Sequence, residues 1–319
     1  MIKNRELLSA ILPRNRVGDA IWSYLYFVCH RYRLPRLRQP RTYCEHLFSQ
    51  RFSKDLMSSL RRRVSDKVEV KEFISERIGR KYCVPTLAIL DSDEAIDRYD
   101  FPPPCFIKPA HMSGGQQRRL LASDTVDRAR LKRMLDFDYY DFMREPNYRG
   151  LPRRIIVEPV VFGGPAVPPD YKFHCWFGEP KFVQVAAGRF TSLTQRLYLP
   201  DWTPLRIRHV HTPGPIEPAP RNLDEMIEIT RKLAAGFDSV RVDLYSNGQE
   251  IKVGELTNLP GAGLRWRVLE PPEAEHAVGR FFREQSADPV EVLRQFIDGE
   301  ARNDPDRLLA LVNERRAVP

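Results

Sequence analysis

Residues 240–263 of this 319-residue chain read VRVDLYSNGQEIKVGELTNLPGAG, and this stretch is the most informative about the fold. Apolar and polar residues alternate on both sides of Ser246, Asn247 and Gly248, which is the pattern of two strands joined by a tight turn. Asp243 and Glu255 therefore stand on neighbouring strands of a predicted β-hairpin, which runs directly into a Pro-Gly loop.

The length of the turn decides whether the two carboxylates share a face. A two-residue turn at Asn247 and Gly248 pairs position 243 with 252 and separates them, because side chains alternate faces along a strand. A three-residue turn that includes Ser246, with Gly248 left-handed, pairs 243 with 251 and brings Asp243 and Glu255 to one face. We expect the second arrangement, which suits a hard cation held beside phosphate oxygens. The alternative is a hairpin whose acidic outer face is simply solvated.

A second motif combines a lysine with a small-residue loop. Cys105-Phe106-Ile107-Lys108 is a short apolar strand ending in a cation, and residues 111–115 read His-Met-Ser-Gly-Gly. Gly114 and Gly115 allow backbone N–H groups to approach an anion closely, and Lys108 offers a point charge to phosphate. The spacing is not that of a P-loop, so an ordinary turn beside a lysine is the alternative interpretation.

Two further strands complete the pattern. Residues 153–161 form an apolar strand that carries one acid, Glu158. Asp170-Tyr171-Lys172-Phe173 opens a second predicted hairpin, with strands near 171–177 and 181–187 around Phe177-Gly178-Glu179-Pro180.

In this order the motifs resemble the ATP-grasp superfamily, and most closely the TupA-like ATP-grasp proteins associated with bacterial cell-surface polysaccharide synthesis. The resemblance extends over about residues 34–263 and also includes Asp66-Lys67, Gly188-Arg189-Phe190-Thr191 and Gly254-Glu255-Leu256-Thr257. It implies an α+β fold in which two α+β lobes clamp ATP, here preceded by a basic helical segment.

The resemblance also implies roles for individual residues in nucleotide binding. Lys108 and Lys172 correspond to the lysines that bind the nucleotide phosphates, and Glu158 to the start of the adenine hinge. The loop with Ser113, Gly114 and Gly115 corresponds to a mobile flap over the γ-phosphate. His111 in the same loop either touches phosphate or bonds to the backbone.

The remaining implied roles concern the metal and the transferred phosphate. Asp243 and Glu255 correspond to the ligands of Mg²⁺, with Mn²⁺ as an alternative ion. Thr257 stands where many ATP-grasp enzymes have an asparagine ligand, and its hydroxyl can still offer an oxygen or hold a metal-bound water. Arg241 corresponds to the arginine that neutralises charge developing on the phosphate, and Arg189 offers a fork for the γ-phosphate or an acceptor carboxylate.

Composition is consistent with an enzyme of this kind. The chain is 42% hydrophobic and has five cysteines without C-x-x-C spacing, which indicates a large core and a reducing compartment. The residues predict no secretory signal, and the apolar run at 20–29 is too short to span a bilayer. We therefore expect a cytoplasmic protein with peripheral contact at the inner face of the membrane.

The charge is concentrated at the N-terminus. Residues 1–63 hold 14 Lys and Arg against 4 Asp and Glu, a net of +10, whereas the remainder holds 37 against 38, a net of −1. Val17, Ile21, Leu25 and their neighbours recur at helical spacing within this segment. We interpret it as a site for an anionic glycan, a lipid-linked substrate or a membrane surface, or else as a core helix with a solvated basic flank. Nucleic acid is not an expected partner, since no nucleic-acid-binding motif accompanies the charge.

The predicted organisation has four parts. They are a basic helical segment at 1–62, a first ATP-grasp lobe with the flap at 63–152, a second lobe with the metal hairpin at 153–285, and a helical tail at 286–319. Within them we expect helices near 66–78 and 124–135 and a strand at 84–90.

Three functions are compatible with these residues. The first is an ATP-dependent carboxylate–amine ligase that forms an acyl phosphate, with a uronic acid of a glycan or an amino acid as its acceptor. The second is a kinase that phosphorylates a sugar or glycan hydroxyl with the same residues. The third is a non-catalytic nucleotide- or polyanion-binding module, which has no need of the complete set of site residues.

Overall fold

A computed structural model describes residues 5–114, 118–163, 167–189, 191–266, 268–269, 271–283, 292–293 and 296–297. Gly115 of the predicted flap and most of the helical tail predicted at 286–319 lie outside these ranges. The helices are α1 (Arg5–Ile11), α2 (Arg16–Arg31), α3 (Tyr43–Gln50), α4 (Ser59–Ser65), α5 (Glu69–Ile78), α6 (Asp93–Arg98), α7 (Arg128–Asp136), α8 (Tyr139–Met143), α9 (Leu223–Ala234) and α10 (Ala274–Arg283). The strands are β1 (Ala88–Leu90), β2 (Cys105–Pro109), β3 (Arg118–Leu120), β4 (Ile155–Pro159), β5 (Asp170–Trp176), β6 (Glu179–Ala187), β7 (Thr194–Tyr198), β8 (Pro204–Leu205), β9 (Ser239–Ser246) and β10 (Ile251–Thr257).

The chain divides into two compact units, each assembled from separate segments. Within the described residues, the first draws on Met1–Pro35, Leu47–Ala166 and Lys252–Arg265. The second draws on Arg36–His46, Val167–Ile251 and Trp266–Pro319. The four parts expected from the sequence, with boundaries after 62, 152 and 285, stay predictions.

The first unit contains a four-stranded antiparallel sheet in the order β1-β4-β2-β3. Its core includes Ile107 and Val157 from the two central strands, which pack with Leu131 and Leu135 of α7. The side chain of Asp127 caps α7 by accepting a hydrogen bond from the backbone N–H of Arg130, so the helix starts four residues later than predicted. The strand predicted at 84–90 is shorter, since only 88–90 pair with β4.

The N-terminal helices belong to the first unit. Trp22, Tyr26 and Phe27 bury one side of α2. The opposite side remains exposed at Val17 (64%), Ile21 (43%) and Leu25 (44%). The apolar stripe at these three positions is therefore a surface of the protein, while α2 packs into the core through a different face. None of the described helices combines the length and the apolar character needed to cross a bilayer.

The second unit contributes β9, β5, β6, β7 and β8, in that order, to an antiparallel sheet. On one face, alternate residues such as Phe173, Val242 and Val183 are buried. The helix α9, whose buried residues include Leu233, packs against these strands. Truncating a buried leucine of this kind to alanine costs about 2–5 kcal/mol. The alternation leaves the other face of β5, β6 and β9 to polar residues, and the candidate site of this unit forms there.

Two turns test the hairpin predictions. β5 and β6 are joined by Phe177 and Gly178, both with positive φ, which confirms the second predicted hairpin. The turn after β9 differs from the expected one, because Ser246 lies in the strand and the backbone N–H of Asn247 donates to Glu250. The three-residue turn is therefore wrong, and a shared face for Asp243 and Glu255 no longer follows from it.

Candidate active site

A buried carboxylate holds two lysines in the first unit. Glu158 of β4 is 5% exposed, and its Oε2 and Oε1 atoms lie 2.5 Å from Lys108 Nζ and 2.6 Å from Lys71 Nζ. Burial alone raises the pKa of the Glu158 carboxyl, but the two ammonium groups outweigh burial and hold it below its usual range. Glu158 is thus ionised at neutral pH, and it fixes the Lys108 side chain at the end of β2.

Lys71 has no role in the sequence-based prediction, which uses its segment only as a helix. It extends from α5 and also donates to the carbonyl of Val84 and the hydroxyl of Thr86, at 2.7 and 2.8 Å. A lysine within the predicted helix at 66–78 gives no local signal that it faces a glutamate 87 positions later in the chain.

Asp66 and Lys67 anchor the start of the glycine loop at residues 111–115. The backbone N–H of Lys67 donates to the carbonyl of Ala110 at 3.1 Å, and its Nζ donates to the carbonyl of Met112. Burial lowers the pKa of Lys67. Asp66 in turn accepts a hydrogen bond from Arg154 at 2.8 Å, which ties the loop to the start of β4.

The flap residues separate into two groups. His111 is buried, its Nδ1 accepts the backbone N–H of Arg154 at 3.3 Å, and its Nε2 lies 3.2 Å from the carbonyl of Phe137. Because the backbone N–H of Arg154 can only donate, Nδ1 is the unprotonated nitrogen of the ring. Nε2 therefore carries the ring proton and donates it to the carbonyl, so both nitrogens are engaged by the backbone. Burial lowers the pKa of His111, which favours this neutral form. Ser113 and Gly114 instead line an open cavity, and Gly114 has φ +80°.

The acidic end of β10 also lies in the first unit. The hydroxyl of Thr257 donates to Glu255 Oε1 at 3.1 Å, so Thr257 orients the carboxylate that is the predicted metal ligand. Asn258, one residue later, is 2% exposed and bonds through both amide atoms to Arg61 and through Nδ2 also to Ser65. Its side chain has a structural role and does not replace the missing asparagine ligand.

The second unit brings three predicted residues together. Lys172 of β5 is the direct cross-strand partner of Asp243 of β9, and its Nζ lies 2.5 Å from Asp243 Oδ2. Arg241 lies two residues before Asp243 on the same face, and its Nε and Nη2 atoms donate hydrogen bonds to the carboxylate at 2.5 and 2.7 Å. Burial opposes ionisation of Asp243, but Arg241 and Lys172 hold its pKa below the usual range. The group is an ionised, cation-bound carboxylate at neutral pH.

Arg189 forms a related pair with a residue that has no role in the sequence-based prediction. Its Nε and Nη2 donate to Asp170 Oδ2, with Nε at 3.1 Å, and Lys172 Nζ lies 3.7 Å from Asp170 Oδ1. The charges of Lys172 and Arg189 outweigh burial and lower the pKa of Asp170. Asp170 therefore links Arg189 to Lys172 along one face of the sheet.

His174 continues the same polar face. It is fully buried, its Nδ1 lies 2.8 Å from the hydroxyl of Tyr43, and its Nε2 lies 3.3 Å from Gln184 Oε1. Burial lowers its pKa well below the usual value. The ring is a packed, neutral histidine.

The two predicted metal ligands, Asp243 and Glu255, have side chains whose chemistry suits a hard cation. Asp243 lies in the second unit and Glu255 in the first, and both present carboxylate oxygens of the kind that Mg²⁺ prefers. Within the described parts of the chain, no three His, Cys, Asp or Glu side chains come together to hold a metal by themselves.

The family follows from the sequence as a whole. The model of the TupA-like ATPgrasp family matches residues 51–280, so the chain belongs to the TupA-like ATP-grasp family. This match confirms the predicted resemblance and, with the antiparallel α+β architecture, the predicted fold class. None of the curated proteins matches the chain.

Solved structures of other ATP-grasp proteins show distant likeness. The ATP-grasp ligase PsnB complexed with minimal precursor is 14% identical, has a TM-score of 0.34, and aligns over 63% of this chain and 54% of that chain. The L-amino acid ligase from Bacillus licheniformis is 11% identical, with a TM-score of 0.42 and coverage of 68% and 49%. The D-Alanine-D-Alanine ligase from Helicobacter pylori is 11% identical, with a TM-score of 0.37 and coverage of 71% and 60%. The chain thus spans 49–60% of the length of these structures.

Proposed function

We propose that this protein is an ATP-dependent carboxylate–amine ligase that works through an acyl phosphate. The carboxylate of an acceptor attacks the γ-phosphorus of ATP, which gives an acyl phosphate and ADP. An amine then attacks the acyl carbon, loses a proton and displaces inorganic phosphate. By family resemblance the acceptor is a uronic acid on a cell-surface glycan or its precursor, or an amino acid.

The observation that carries the proposal is a pair of lysines, one in each unit, each held by a buried carboxylate. Lys108 is fixed by Glu158 and Lys172 by Asp243. A lysine whose rotamer is already fixed loses little further entropy when it binds phosphate. In the proposal Lys108 and Lys172 bind the ATP phosphates, while Ser113 and the backbone of Gly114 face the γ-phosphate.

Two arginines act on the negatively charged groups during phosphoryl transfer. Arg241, beside Lys172 and Asp243, stabilises negative charge on the transferred phosphoryl group. Arg189 orients the acceptor carboxylate or the γ-phosphate with its planar fork. Asp243 and Glu255, the latter oriented by Thr257, would hold Mg²⁺, which would supply charge neutralisation on the phosphates.

We extend the proposal to a peripheral contact with an anionic membrane surface, which is where a lipid-linked acceptor resides. Val17, Ile21 and Leu25 form an exposed apolar stripe along α2, and residues 1–63 carry a net charge of +10. An exposed apolar helix face with flanking arginines complements the anionic interface of a bilayer. Because ATP is supplied in the cytoplasm, we place the reaction at the inner face of the membrane.

Product analysis tests the ligase proposal. The protein is incubated with ATP, Mg²⁺ and candidate carboxylate and amine pairs, and ADP, inorganic phosphate and amide are measured together. A ligase releases phosphate in step with amide formation, and hydroxylamine traps its acyl phosphate as a hydroxamate. Phosphate that is retained on the acceptor identifies the kinase instead, and ATP binding without turnover identifies a binding module.

Matched variants connect the products to the site. Lys172→Met removes a proposed phosphate ligand, and Lys54→Met removes the same charge from an exposed position. We expect the first variant to lose at least about 100-fold in turnover, as for a lost charged contact to the reacting phosphate, and the second to match the wild type. Equal activity of the two variants contradicts the assignment of Lys172.

A further inference from the structure

The β5–β6 hairpin carries an exposed aromatic residue at its tip. Phe177 is 56% exposed, and both Phe177 and Gly178 have positive φ, +47° and +82°. Two-residue turns of this kind favour asparagine followed by glycine, because the left-handed region is unfavourable for a bulky side chain. Phenylalanine at position 177 is therefore unfavourable for the turn and, since its ring faces water, also for solvation. Such a residue points to a role outside the packing of its own unit.

The ring of Phe177 is fixed on the second unit. The backbone N–H of Phe177 donates to the carbonyl of Asp238 at 2.8 Å, which holds the turn. The ring meets that of Trp176 edge-on, with centroids 5.1 Å apart, and Trp176 packs against Phe282 of α10 at 4.8 Å. A side chain that is already ordered loses little conformational entropy when it binds a partner.

A loop with three arginines adjoins α10. Arg283, the last residue of α10, donates to the carbonyl of Pro40 at 3.1 Å, which joins this end of the helix to residues 36–41. Over the described residues the arginines of that loop form no ion pair through their side chains, whereas Arg63 is paired with Glu76 at 2.7 Å. The three loop arginines, all exposed, are Arg36, Arg38 and Arg41.

A buried carboxylate holds this loop in place. Glu45 is 1% exposed and accepts the backbone N–H groups of Arg36, Arg41 and Thr42 at 3.3, 2.9 and 3.2 Å. Hydrogen bonds to a charged acceptor are strong, so the backbone of the loop is preorganised.

The charge balance of this surface is positive. Residues 36–46 and 274–283 together hold five arginines against two glutamates, a net of +3. The carboxylates next to the hairpin tip are already engaged, because Glu179 pairs with Arg231 at 2.8 Å and Asp238 Oδ1 accepts a backbone N–H at 2.6 Å. The surface therefore combines a fixed, exposed ring with an excess of cations.

We propose that this surface binds the interface of an anionic bilayer, with the ring of Phe177 among the acyl chains and the arginines of the 36–41 loop on lipid phosphates. An apolar ring gains free energy by leaving water, and each arginine gains from the negative potential of the headgroups. A bilayer interface offers both environments side by side, because its acyl chains begin directly below a layer of phosphates. The inference rests on the membrane contact of the proposed function, and it adds to α2 of the first unit a separate contact in the second unit.

Cosedimentation tests the inference with vesicles of phosphatidylcholine alone and of phosphatidylcholine mixed with phosphatidylglycerol. Phe177→Asn removes the ring and supplies the residue that the turn favours, and Phe177→Trp keeps an aromatic ring of the kind found at membrane interfaces. Leu121→Asn removes an exposed apolar side chain (41%) of the first unit and is the matched control. Tm and ATP turnover in solution are measured for every protein.

We expect the wild type to bind the anionic vesicles at least about tenfold more tightly than the neutral ones, since each surface cation gains from their potential. Phe177→Asn should lose about tenfold in vesicle affinity, the low end of the range for burying a phenylalanine, while its Tm should not fall. Phe177→Trp should bind at least as tightly as the wild type. Leu121→Asn should stay within about twofold of it, as is usual for surface substitutions.

A second pair of variants tests the arginines. Arg38→Gln with Arg41→Gln removes two cations of the loop, and Arg80→Gln with Arg98→Gln removes two exposed cations of the first unit. The loop variant should lose about 30-fold in affinity for the anionic vesicles, from the usual contribution of two cations near such a surface. Its control should stay within about twofold of the wild type.

Several results overturn the inference. They are equal vesicle affinity of Phe177→Asn and the wild type, a loss of affinity that comes with a lower Tm, equal losses in either test variant and its control, and absence of binding to anionic vesicles. The ligase proposal fails on a different readout, since it requires ATP turnover by the wild type in solution, which these variants should not change. The α2 contact fails separately, if Ile21→Ser with Leu25→Ser leaves vesicle binding unchanged.

Discussion

Replacing Glu158 with glutamine tests the cluster that fixes the proposed phosphate lysine. Glutamine is nearly isosteric but neutral, so the ammonium groups now 2.5 and 2.6 Å from the carboxylate remain in a buried place without their counter-charge. Removing one partner from a buried ion pair costs about 3–5 kcal/mol. With an unfolding entropy of about 2.1 cal/mol/K per residue, a chain of this length should lose about 4–8 °C in Tm.

Scanning calorimetry at pH 7 measures the loss, and two further variants define its origin. Glu76→Gln removes a carboxylate whose Oε1 lies 2.7 Å from Arg63 on the exposed surface, where an ion pair contributes little, so its Tm should stay within about 1 °C of the wild type. Glu158→Gln with Lys71→Met removes one stranded cation and should recover part of the lost stability. A Tm for Glu158→Gln equal to that of Glu76→Gln refutes the reasoning, because the carboxylate would then hold no buried charge.

Four other changes have defined outcomes. Asp243→Asn or Glu255→Gln should lower ATP turnover by at least about 100-fold with an unchanged circular dichroism spectrum, and near wild-type ADP release would contradict the metal assignment. Gly114→Val should slow phosphate transfer more than it weakens ATP binding, since φ +80° strains a β-branched residue; an unchanged turnover number returns the loop to an ordinary turn. Burial lowers the pKa of His46 to about 4 from 6.5, so the unfolded chain takes up the proton first, and up to about 3 kcal/mol of stability is lost as the pH falls from 6.5 to 4; chemical denaturation across that range should give a flatter profile for His46→Gln. Neutralising four arginines that follow the apolar stripe of α2 in the sequence should raise the acceptor KM, spare ATP affinity, and weaken cosedimentation with phosphatidylglycerol vesicles in a salt-dependent manner; unchanged KM and vesicle binding would remove the segment from both roles. These four are Arg33, Arg36, Arg38 and Arg41.

The individual strands, turns and helix ends and the family can be predicted from the sequence alone. Apolar runs bounded by turn residues predict β2 and β4, and the Phe177-Gly178 turn predicts the β5–β6 hairpin, all of which the structure contains. The helix predicted near 66–78 ends at Ile78, directly before Gly79. These features depend on neighbours within a few positions, because strand alternation and helix termination are set by the backbone preferences of adjacent residues. The order of short motifs is likewise a property of the chain, and it identifies the family.

The ion pairs of the candidate site depend on the tertiary structure. Glu158 contacts a lysine 50 positions earlier, and Asp243 contacts one 71 positions earlier, through sheet pairings that no local pattern encodes. Register decides such contacts because a slip of one residue moves every side chain to the other face. The misjudged turn after Ser246 is an error of that kind. The cavity lined by Ser113 and Gly114 is likewise assembled by packing within the first unit, since Arg130 and Arg265, which are remote in sequence, also line it.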